Sequence, residues 1–344
     1  MSSMSDIARA AGVSKNTVSL ALRGSPRVSQ ATRDRIAALA AKMGYRSNAT
    51  VSQLMSELRR NRSARFQATL GLINANEDPR AFTAHPTLPI YVEGCRRRAA
   101  QLGYGLDEFW LHEPGWTPRR WLSILRTRNI RGLLVVGLMS HNRLPERFGP
   151  LWAALPAVVT GVRTRGPELS FACSDHHALS LAAFEKAVAL GYRRPALVLD
   201  GVIDQLIEGR FTAGFITGQR KFCPAREHTA PFHDVAAARK DLHVFERWLD
   251  RTKPDVIFTL YHEVKRWLES LDRRVPADVG LIQYEWRADH AEWAGMDQRN
   301  DLVGEAAVDM LLSMVLHNEP GVPDTPRATL IGSHWVDGAT VRRA

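Results

Sequence analysis

The sequence predicts a small all-α domain at the N-terminus, followed by a larger α/β domain built as two lobes. Two observations carry this prediction. Within the first 46 residues, apolar side chains recur in three segments at helical spacing. From Ala68 onward, short apolar runs typical of strands alternate with helical segments, and Gly or Pro separates them. This alternation indicates parallel sheets covered by helices, and the second part is too long for one such sheet.

The composition is that of a globular protein, since 45% of the 344 residues are hydrophobic and 24% are charged. No apolar run is long enough to span a bilayer, and the N-terminus lacks the apolar core of a signal peptide. The three cysteines, Cys95, Cys173 and Cys223, are widely spaced and do not suggest a disulfide framework. We therefore expect a cytoplasmic protein with no membrane partner.

The positive charge of the chain is concentrated at one end. Residues 1–65 contain twelve Lys and Arg but only three acids, a balance of +9, while the whole chain carries +10. A compact basic domain attached to a nearly neutral body indicates a polyanionic partner, and nucleic acid is the first candidate. The alternative is that these charges only solvate a surface.

The first two helical segments are predicted to form a helix-turn-helix. Ser5 is placed to cap the first helix, which ends at Gly12, where a left-handed residue is expected. Val13 then fills the turn, and Ser14 is placed to cap the second helix. A third helix follows from Ser29. The apolar positions expected to face inward are Ile7, Ala8, Ala11, Val18, Ala21, Leu22, Ile36, Leu39, Ala40 and Met43.

The second helix is predicted to present short polar side chains on the face opposite its apolar positions. This face carries Lys15, Asn16, Thr17 and Ser19. Such a helix is suited to the major groove of DNA, where Asn and Lys address base edges while Ser and Thr reach phosphates. The sequence therefore predicts binding to double-stranded DNA.

The three segments resemble the headpiece of the LacI/GalR family of bacterial transcription regulators. The resemblance rests on SDIARAAGVSKNTVSLAL, SPRVSQATRDRI and AAKMGYRSN, which have the family's order and spacing. It implies that Lys15 and Asn16 choose bases and that Thr17 and Ser19 belong to the T-V-S core of the motif. Leu20 stands where the family commonly has Arg. Arg can donate hydrogen bonds to guanine and Leu cannot, so the contact that Leu20 could make is an apolar one with a thymine methyl. The implied DNA-binding residues are Ser5, Ser14, Lys15, Asn16, Thr17, Ser19, Leu20, Arg23, Ser47, Asn48 and Leu54.

A further helix is predicted in the segment NATVSQLMSELRR. Asn48 is a suitable N-cap, and Val51, Leu54, Met55 and Leu58 recur at helical spacing. One interpretation is an amphipathic helix packed on its own domain. The resemblance implies instead a hinge helix that forms on DNA and pairs with its twin across a dimer axis. In that interpretation Leu54 enters the minor groove as a wedge and bends the duplex.

The larger domain resembles the effector domain of the same family, which is similar to periplasmic sugar-binding proteins. Matching segments include DHHALSLAAFEKAVALGYRRPALVL, AGFITGQ, RRVPADVGLIQYE and DQRNDLVGEAAVDMLL. The resemblance implies that the chain crosses between lobes near Ser174, Gln298 and Arg327. The expected domains are a helix-turn-helix headpiece at 1–46, a hinge helix and basic linker at 47–65, and a ligand-binding and dimerisation domain at 66–344. The N-lobe is expected at about 66–174 and 298–327, and the C-lobe at about 175–297 and 328–344.

A cleft between the two lobes is the expected pocket, because open α/β sheets bind ligands at the carboxyl ends of their strands. Some positions there depart from the family's pattern: Phe211 stands in the place of a common Arg, which this chain has one residue earlier. Aromatic faces stack on sugar rings, while carboxylates and amides bind hydroxyl groups. The effector is therefore predicted to be a sugar or sugar derivative. Its candidate binding residues, each also open to a structural role, are His85, Arg210, Tyr261, Glu285, Trp286 and Gln298.

The sequence gives little indication of a metal site or of catalysis. Cys173, His176 and His177 are close together, but no second Cys or His pair stands at ligand spacing, so no metal site is predicted. No nucleophile elbow and no glycine-rich phosphate loop is present, so no enzyme and no cofactor are predicted. The prediction is a homodimeric, ligand-responsive regulator, in its favoured form a repressor, that binds a pseudo-palindromic operator. The alternatives are an exported solute-binding protein and, less favoured, an enzyme on a doubly wound α/β fold.

Overall fold

The computed structural model describes residues 4–22, 25, 28–43, 67–319 and 321–343; for residues 4–6, 15, 16, 19 and 22 it describes the backbone alone. These residues form two compact units. The helices before Gln67 belong to the first unit, and the second runs from Ala68 to Leu312 and resumes at residue 321. Each unit has its own core.

The described residues of the first unit form three helices, α1 (Met4–Ala11), α2 (Lys15–Leu22) and α3 (Gln30–Lys42). Its core is formed by apolar side chains from all three, which bury a common face as the helical spacing predicts. The buried members are Ile7, Ala8, Val18, Ala21, Val28, Ile36 and Ala40, and the partly buried ones are Ala11, Val13, Leu20, Leu39 and Met43.

The turn between α1 and α2 follows the predicted chemistry. Gly12 has a φ of +64°, and its N–H donates to the carbonyl of Arg9 while the N–H of Val13 donates to that of Ala8. These two bonds satisfy carbonyls that the end of α1 leaves unpaired. The prediction for Ser5 is wrong, because α1 begins at Met4 and Ser5 therefore lies inside the helix, not at its N-cap.

The second unit contains two sheets. The first is six-stranded, in the order β10-β5-β4-β3-β1-β2, and all its strands are parallel. The second is five-stranded, in the order β11-β9-β8-β7-β6, with only the edge strand β11 antiparallel. The strands are β1 (Ala68–Asn74), β2 (Tyr104–Trp110), β3 (Ile130–Val136), β4 (Ala157–Thr160), β5 (Ser170–Ser174), β6 (Pro195–Val198), β7 (Val256–Thr259), β8 (Gly280–Gln283), β9 (Ala294–Asp297), β10 (Ala328–Ile331) and β11 (His334–Val336).

Helices connect these strands, as parallel pairing requires. Three short 3-10 turns occur at Glu146–Phe148, Ala225–Glu227 and Ala288–His290. The helices are α4 (Ala81–Ala84), α5 (Leu88–Gln101), α6 (Pro118–Thr127), α7 (Gly149–Ala154), α8 (His176–Ala189), α9 (Gly201–Leu206), α10 (Arg210–Phe222), α11 (Val235–Lys240), α12 (His243–Thr252), α13 (Glu263–Ser270) and α14 (Asn300–His317).

The chain crosses between the two sheets three times, and each sheet with its helices is one lobe. The first crossing follows Ser174 and the second lies at Gln298, as predicted. The third was predicted near Arg327 and falls later, because β10 pairs with β5 and so still belongs to the first lobe. The chain reaches the second lobe only with β11, which pairs with β9.

Close helix packing in the second lobe depends on glycine. Helices α8 and α10 lie side by side, and a Cβ at Gly214 would meet the carbonyl oxygen of His177 on α8. One turn later, a Cβ at Gly218 would meet the ring of Phe184. The absence of side chains at these two positions lets α10 approach closely enough to present Phe211, at its first turn, to the space between the lobes.

Candidate functional site

The second helix of the headpiece is held at its start by Ser14. The Oγ of Ser14 accepts a hydrogen bond from the backbone N–H of Thr17 at 3.0 Å and lies 2.8 Å from the Thr17 hydroxyl. This is the predicted N-cap, and it fixes where the helix begins. Lys15, Asn16 and Ser19 lie on α2, but their side chains are not described. The predicted DNA-binding residues Arg23, Ser47, Asn48 and Leu54, with the hinge segment 47–65, lie outside the described residues.

Leu20 has a structural role that its sequence position did not reveal. Its side chain is half-buried and packs against the headpiece core, beside Val18 and the residues of α1 and α3. A long charged side chain here would have to leave that contact to reach outward. The apolar residue therefore stabilises the headpiece whether or not it also meets a base.

The larger unit holds a cavity of about 480 Å³ between its two lobes. It lies beyond the carboxyl ends of strands from both sheets, where open parallel sheets bind ligands. The first lobe contributes His85, Thr87, Tyr91, Leu138, Thr160 and Val162, among others. The second lobe contributes His176, Ile207, Phe211, Arg239, Tyr261, His262, Glu263, Glu285 and Arg287, among others, and Gln298 lines the cavity at a crossing.

Four of the six predicted effector residues line this cavity: His85, Tyr261, Glu285 and Gln298. The amide of Gln298 donates to the Tyr284 carbonyl at 2.9 Å, which fixes the crossing where the lobes meet. The other two predicted residues do not line it.

Arg210 is turned away from the cavity. Its Nε donates to the Ile207 carbonyl at 2.9 Å and its Nη1 donates to the sulfur of Cys173 at 3.2 Å. Trp286 lies outside the cavity as well, and its indole N–H donates to the Trp293 carbonyl at 3.0 Å. Both side chains bond to the protein and neither lines the cavity, although Nη2 of Arg210 is buried without a partner among the described residues. Phe211, one residue after Arg210, is the member of that pair that faces the cavity.

Glu285 joins the two lobes across the cavity. Its Oε1 accepts a hydrogen bond from Asn300 Nδ2 at 3.3 Å, and it accepts another from the hydroxyl of Thr87, at the start of α5. Burial raises the pKa of Glu285, while these two donors and the nearby Arg287 act to lower it. The carboxylate is therefore already supplied with donors from the first lobe and from the crossing.

Three histidines line the cavity with lowered pKa values. Burial is the largest cause for each, and it lowers the pKa of His176 to about 3 and that of His262 to about 4. The Nδ1 of His176 is buried and has no hydrogen-bond partner among the described residues. The Nδ1 of His85 accepts from the backbone N–H of Thr87 at 3.1 Å, so neutral His85 carries its proton on Nε2. Neutral imidazoles therefore line the cavity, and Nε2 of His85 has no hydrogen-bond partner among the described residues.

Aromatic side chains form the rest of the wall. Phe211 stacks on Tyr284 at 5.1 Å between ring centroids and meets His176 edge-on at 4.7 Å. Tyr261 carries the guanidinium of Arg239 over its ring at 5.2 Å, and its hydroxyl accepts the N–H of Asp200 at 3.1 Å. Burial raises the pKa of Tyr261 to about 12, so its phenol stays neutral.

Sequence reasoning missed several lining residues. Thr160 ends β4, so the rule that ligands bind at strand ends was a signal that could have found it. His176 was considered only as a metal ligand. Thr87, Tyr91, Arg239 and Arg287 lie on helices or in loops, and no local sequence pattern distinguishes them from their neighbours.

The described part of the chain contains no group of three or more His, Cys, Asp and Glu side chains placed to hold a metal ion. None of its helices combines the length and the apolar character that a membrane crossing requires.

Comparison with known proteins gives the headpiece a clear likeness. The family model for bacterial regulatory proteins of the lacI family matches residues 3–48. The HTH-type transcriptional regulator AscG of Escherichia coli (strain K12) is 43% identical over 76 residues, which are 22% of this chain and 20% of that protein. The HTH-type transcriptional regulator CelR of Thermobifida fusca is 24% identical over 323 residues, 90% of each chain.

Solved structures extend the likeness to the whole fold. A complex of the transcriptional regulator CelR with cellobiose has a TM-score of 0.59 at 20% identity, covering 99% of this chain and all of that one. The lac repressor dimer bound to operator and the anti-inducer ONPF has a TM-score of 0.57 at 19% identity, covering 99% of each chain. At these identities, the likeness concerns the fold.

Proposed function

Because the chain is a member of the LacI family of bacterial regulatory proteins, we propose that it is a repressor that binds a pseudo-palindromic operator as a homodimer and responds to a sugar. One observation carries this proposal. A helix-turn-helix with a serine-capped second helix stands on the same chain as a two-lobed α/β unit with a polar, aromatic cavity between its lobes. The first part is suited to reading DNA and the second to sensing a small molecule.

In the DNA-bound state, α2 lies in the major groove, one helix for each half-site. Lys15 and Asn16, in its first turn, address base edges, and the hydroxyls of Thr17 and Ser19 contact phosphates. The cap from Ser14 supports this arrangement because it sets the position of the helix start, where base contacts are made. Ser5, Arg23, Ser47 and Asn48 add contacts to the backbone of the duplex.

The hinge segment bends the operator. In this proposal the segment after Asn48 folds as a helix on DNA, and Leu54 enters the minor groove and unstacks a base step. The arginines between residues 59 and 65 add a salt-dependent attraction that does not depend on sequence.

The sugar binds in the cavity between the lobes. Tyr261 and Phe211 offer aromatic side chains to a pyranose ring, and His85, Gln298 and Glu285 offer polar atoms to its hydroxyl groups. CelR and the lac repressor, which share the fold, are described in complexes with cellobiose and with the anti-inducer ONPF. These complexes support a sugar as the effector class.

Effector and operator are coupled through the two lobes. A sugar that binds one arrangement of the lobes more tightly shifts the dimer toward it and changes how readily the hinge helices pair. The coupling is reciprocal, so operator DNA must change sugar affinity by the same factor.

Selection of binding sites from random DNA tests the reading of the operator. The wild-type protein is expected to select a two-fold symmetric site, and Asn16→Ala to select a site with relaxed preference at one position in each half. Arg59→Gln serves as the contrast: it should keep the wild-type site and lower the slope of log affinity against log salt by about 1. Selection of no preferred site by the wild-type chain, or of the wild-type site by Asn16→Ala, would contradict the proposal.

Gel mobility on circularly permuted operator fragments tests the wedge. Leu54→Ala is expected to weaken specific binding and to reduce the bend. Leu58→Ala, the same change one turn further along the segment, is the control and should leave more of the bend. Equal bending by the wild type and Leu54→Ala would rule out the wedge.

A further inference from the structure

One cation in the cavity has no partner that satisfies it. The side chain of Arg287 is only 16% exposed and lines the cavity, yet it donates no hydrogen bond to any described residue. Its Nε is buried without a partner, and the nearest carboxylate oxygen, Oδ1 of Asp289, lies 3.6 Å away. Asp289 is 68% exposed, so water screens its charge. A largely buried guanidinium with unmet donors is costly unless a ligand supplies the acceptors.

The other charged side chains of the cavity are paired, hydrogen-bonded or exposed to water. Arg239 is paired with Glu263, whose Oε1 lies 2.7 Å from both Nε and Nη2 of the arginine. Glu285 accepts from Asn300 and from Thr87 and makes no hydrogen bond to Arg287. Arg266 lines the mouth, is exposed, and has no ion pair within the described residues. The uncompensated charge of the cavity is therefore positive.

The first lobe contributes a second hydrogen-bond donor, His85, near the charge of Arg287. His85 lines the cavity, and Arg287 is near enough that its charge lowers the pKa of His85. Because Nδ1 of His85 accepts backbone N–H groups, the proton of the neutral ring is on Nε2 and remains available to a ligand. One anionic group can thus accept hydrogen bonds from both lobes.

We propose that the effector is an anionic sugar, whose carboxylate or phosphate is held between Arg287 of the second lobe and His85 of the first. This inference rests on the proposed function, since it names the class of sugar that the cavity takes. Arginine binds both anions through two parallel hydrogen bonds, so the two sources share one chemistry. The anion also bridges the lobes, which makes it the part of the sugar best placed to favour one lobe arrangement over another.

The test uses the full chain and matched probes. Thermal unfolding and calorimetric titration are run with D-glucuronate against D-glucose, D-galacturonate against D-galactose, and D-glucose 6-phosphate as the phosphate arm. The variants are Arg287→Gln and, as a control, Arg251→Gln, which changes an exposed arginine of the same lobe that does not line the cavity. Operator binding is measured in parallel with each probe.

Each sugar acid is expected to bind more tightly than its neutral parent. Arg287→Gln should lower the affinity for the acid by about tenfold or more, which is the loss expected for a charge-assisted hydrogen bond. Arg251→Gln should match the wild type. Neutral parents that bind as well as the acids would overturn the inference and leave the regulator proposal intact. Retention of full acid affinity by Arg287→Gln would overturn the assignment of the anion site. If no probe changes unfolding or operator binding, the sugar effector fails together with the inference, while site selection still tests DNA binding.

Discussion

Arg210 and Cys173 join the two lobes directly, because Nη1 of Arg210 on α10 donates to the sulfur of Cys173 on β5 at 3.2 Å. The same guanidinium lies 5.8 Å from the ring of Phe171, two residues earlier on β5. Burial raises the pKa of the Cys173 thiol, and the charge of Arg210 opposes that rise. The arginine that sequence reasoning assigned to the effector therefore acts as a contact between lobes.

Replacing this arginine should affect stability more than effector binding. We expect Arg210→Met to lower the free energy of unfolding by about 1–2 kcal/mol, through loss of its hydrogen bonds to Ile207 and Cys173. Phe211→Ala, which changes the neighbouring residue that faces the cavity, should weaken effector binding more strongly than Arg210→Met does. Urea unfolding and effector titration of both variants provide the comparison. An Arg210→Met protein of wild-type stability that no longer responds to effector would place Arg210 back in the binding site.

A second contact between the lobes is an ion pair. Arg165, in the segment after β4, pairs with Glu208, which precedes α10. We expect a double-mutant cycle of Arg165→Gln and Glu208→Gln to give a coupling energy of at most about 1 kcal/mol, because both side chains are partly exposed. Raising the salt concentration from about 0.05 M to about 0.5 M should reduce the coupling energy, because dissolved ions screen exposed charges. A coupling that does not change with salt would indicate that packing, not charge, links these residues.

Ser180 and Tyr284 share a buried hydrogen bond of 2.6 Å, and both side chains are fully buried. Ser180→Ala should lower the free energy of unfolding by about 1–3 kcal/mol, because it leaves the Tyr284 hydroxyl unpaired in the core. Tyr284→Phe should cost less, since a helical serine can donate to a carbonyl of its own helix. The double variant should cost less than the sum of the two single changes. Strict additivity in chemical denaturation would show that the two hydroxyls do not depend on each other.

The cap of α2 links headpiece stability to DNA binding. Ser14→Ala removes the acceptor for the Thr17 N–H and should destabilise the helix by about 1 kcal/mol. Operator affinity should fall by a similar amount, with no change in base preference. Ser29→Ala is the matched control, since Ser29 caps α3 in the same way. A changed base preference in Ser14→Ala would mean that Ser14 itself reads DNA.

The headpiece could be predicted from sequence almost residue by residue, because its signals are local. Gly12 ends α1 and Ser14 caps α2 through hydrogen bonds to residues three positions away. The two-lobed architecture followed from the alternation of strands and helices. The start of α1 was the exception, since a serine can cap a helix or lie within its first turn, and Ser5 does the latter.

The proposed effector site was harder to predict, because its residues meet only through the fold. Tyr261 and Glu285 each lie two residues after a strand end, which made them predictable, whereas His85 follows a short helix after β1. Arg210 and Phe211 are neighbours in sequence, and only the rotation of α10 decides which one faces the cavity. Arg287 carried no signal at all, since its importance depends on partners that it lacks.

The buried His176 should make the folded protein sensitive to acid. Burial and, secondarily, Arg210 lower its pKa from 6.5 to about 3, so between these values the unfolded chain binds a proton that the folded protein does not. Stability must therefore fall as pH decreases below about 6.5, with a slope of roughly 1.4 kcal/mol per pH unit from this group. Urea unfolding of the wild type and His176→Gln at about pH 7, 6 and 5 isolates the contribution, since other groups titrate in both proteins. The variant should lose less stability across this range.

The exposed His243 provides the control of opposite sign. The hydrogen bond that His243 donates to the Glu246 carboxylate, followed by the charges of Glu246 and Asp241, raises the pKa of His243. Its stabilising contribution is present at low pH, where the ring is charged in both states, and is lost as pH rises through the folded pKa. His243→Gln should therefore leave the acid branch at least as steep as that of the wild type. Parallel acid branches for the wild type and His176→Gln would show that His176 is protonated in the folded protein, and would remove it from the neutral polar groups that the cavity offers to a ligand.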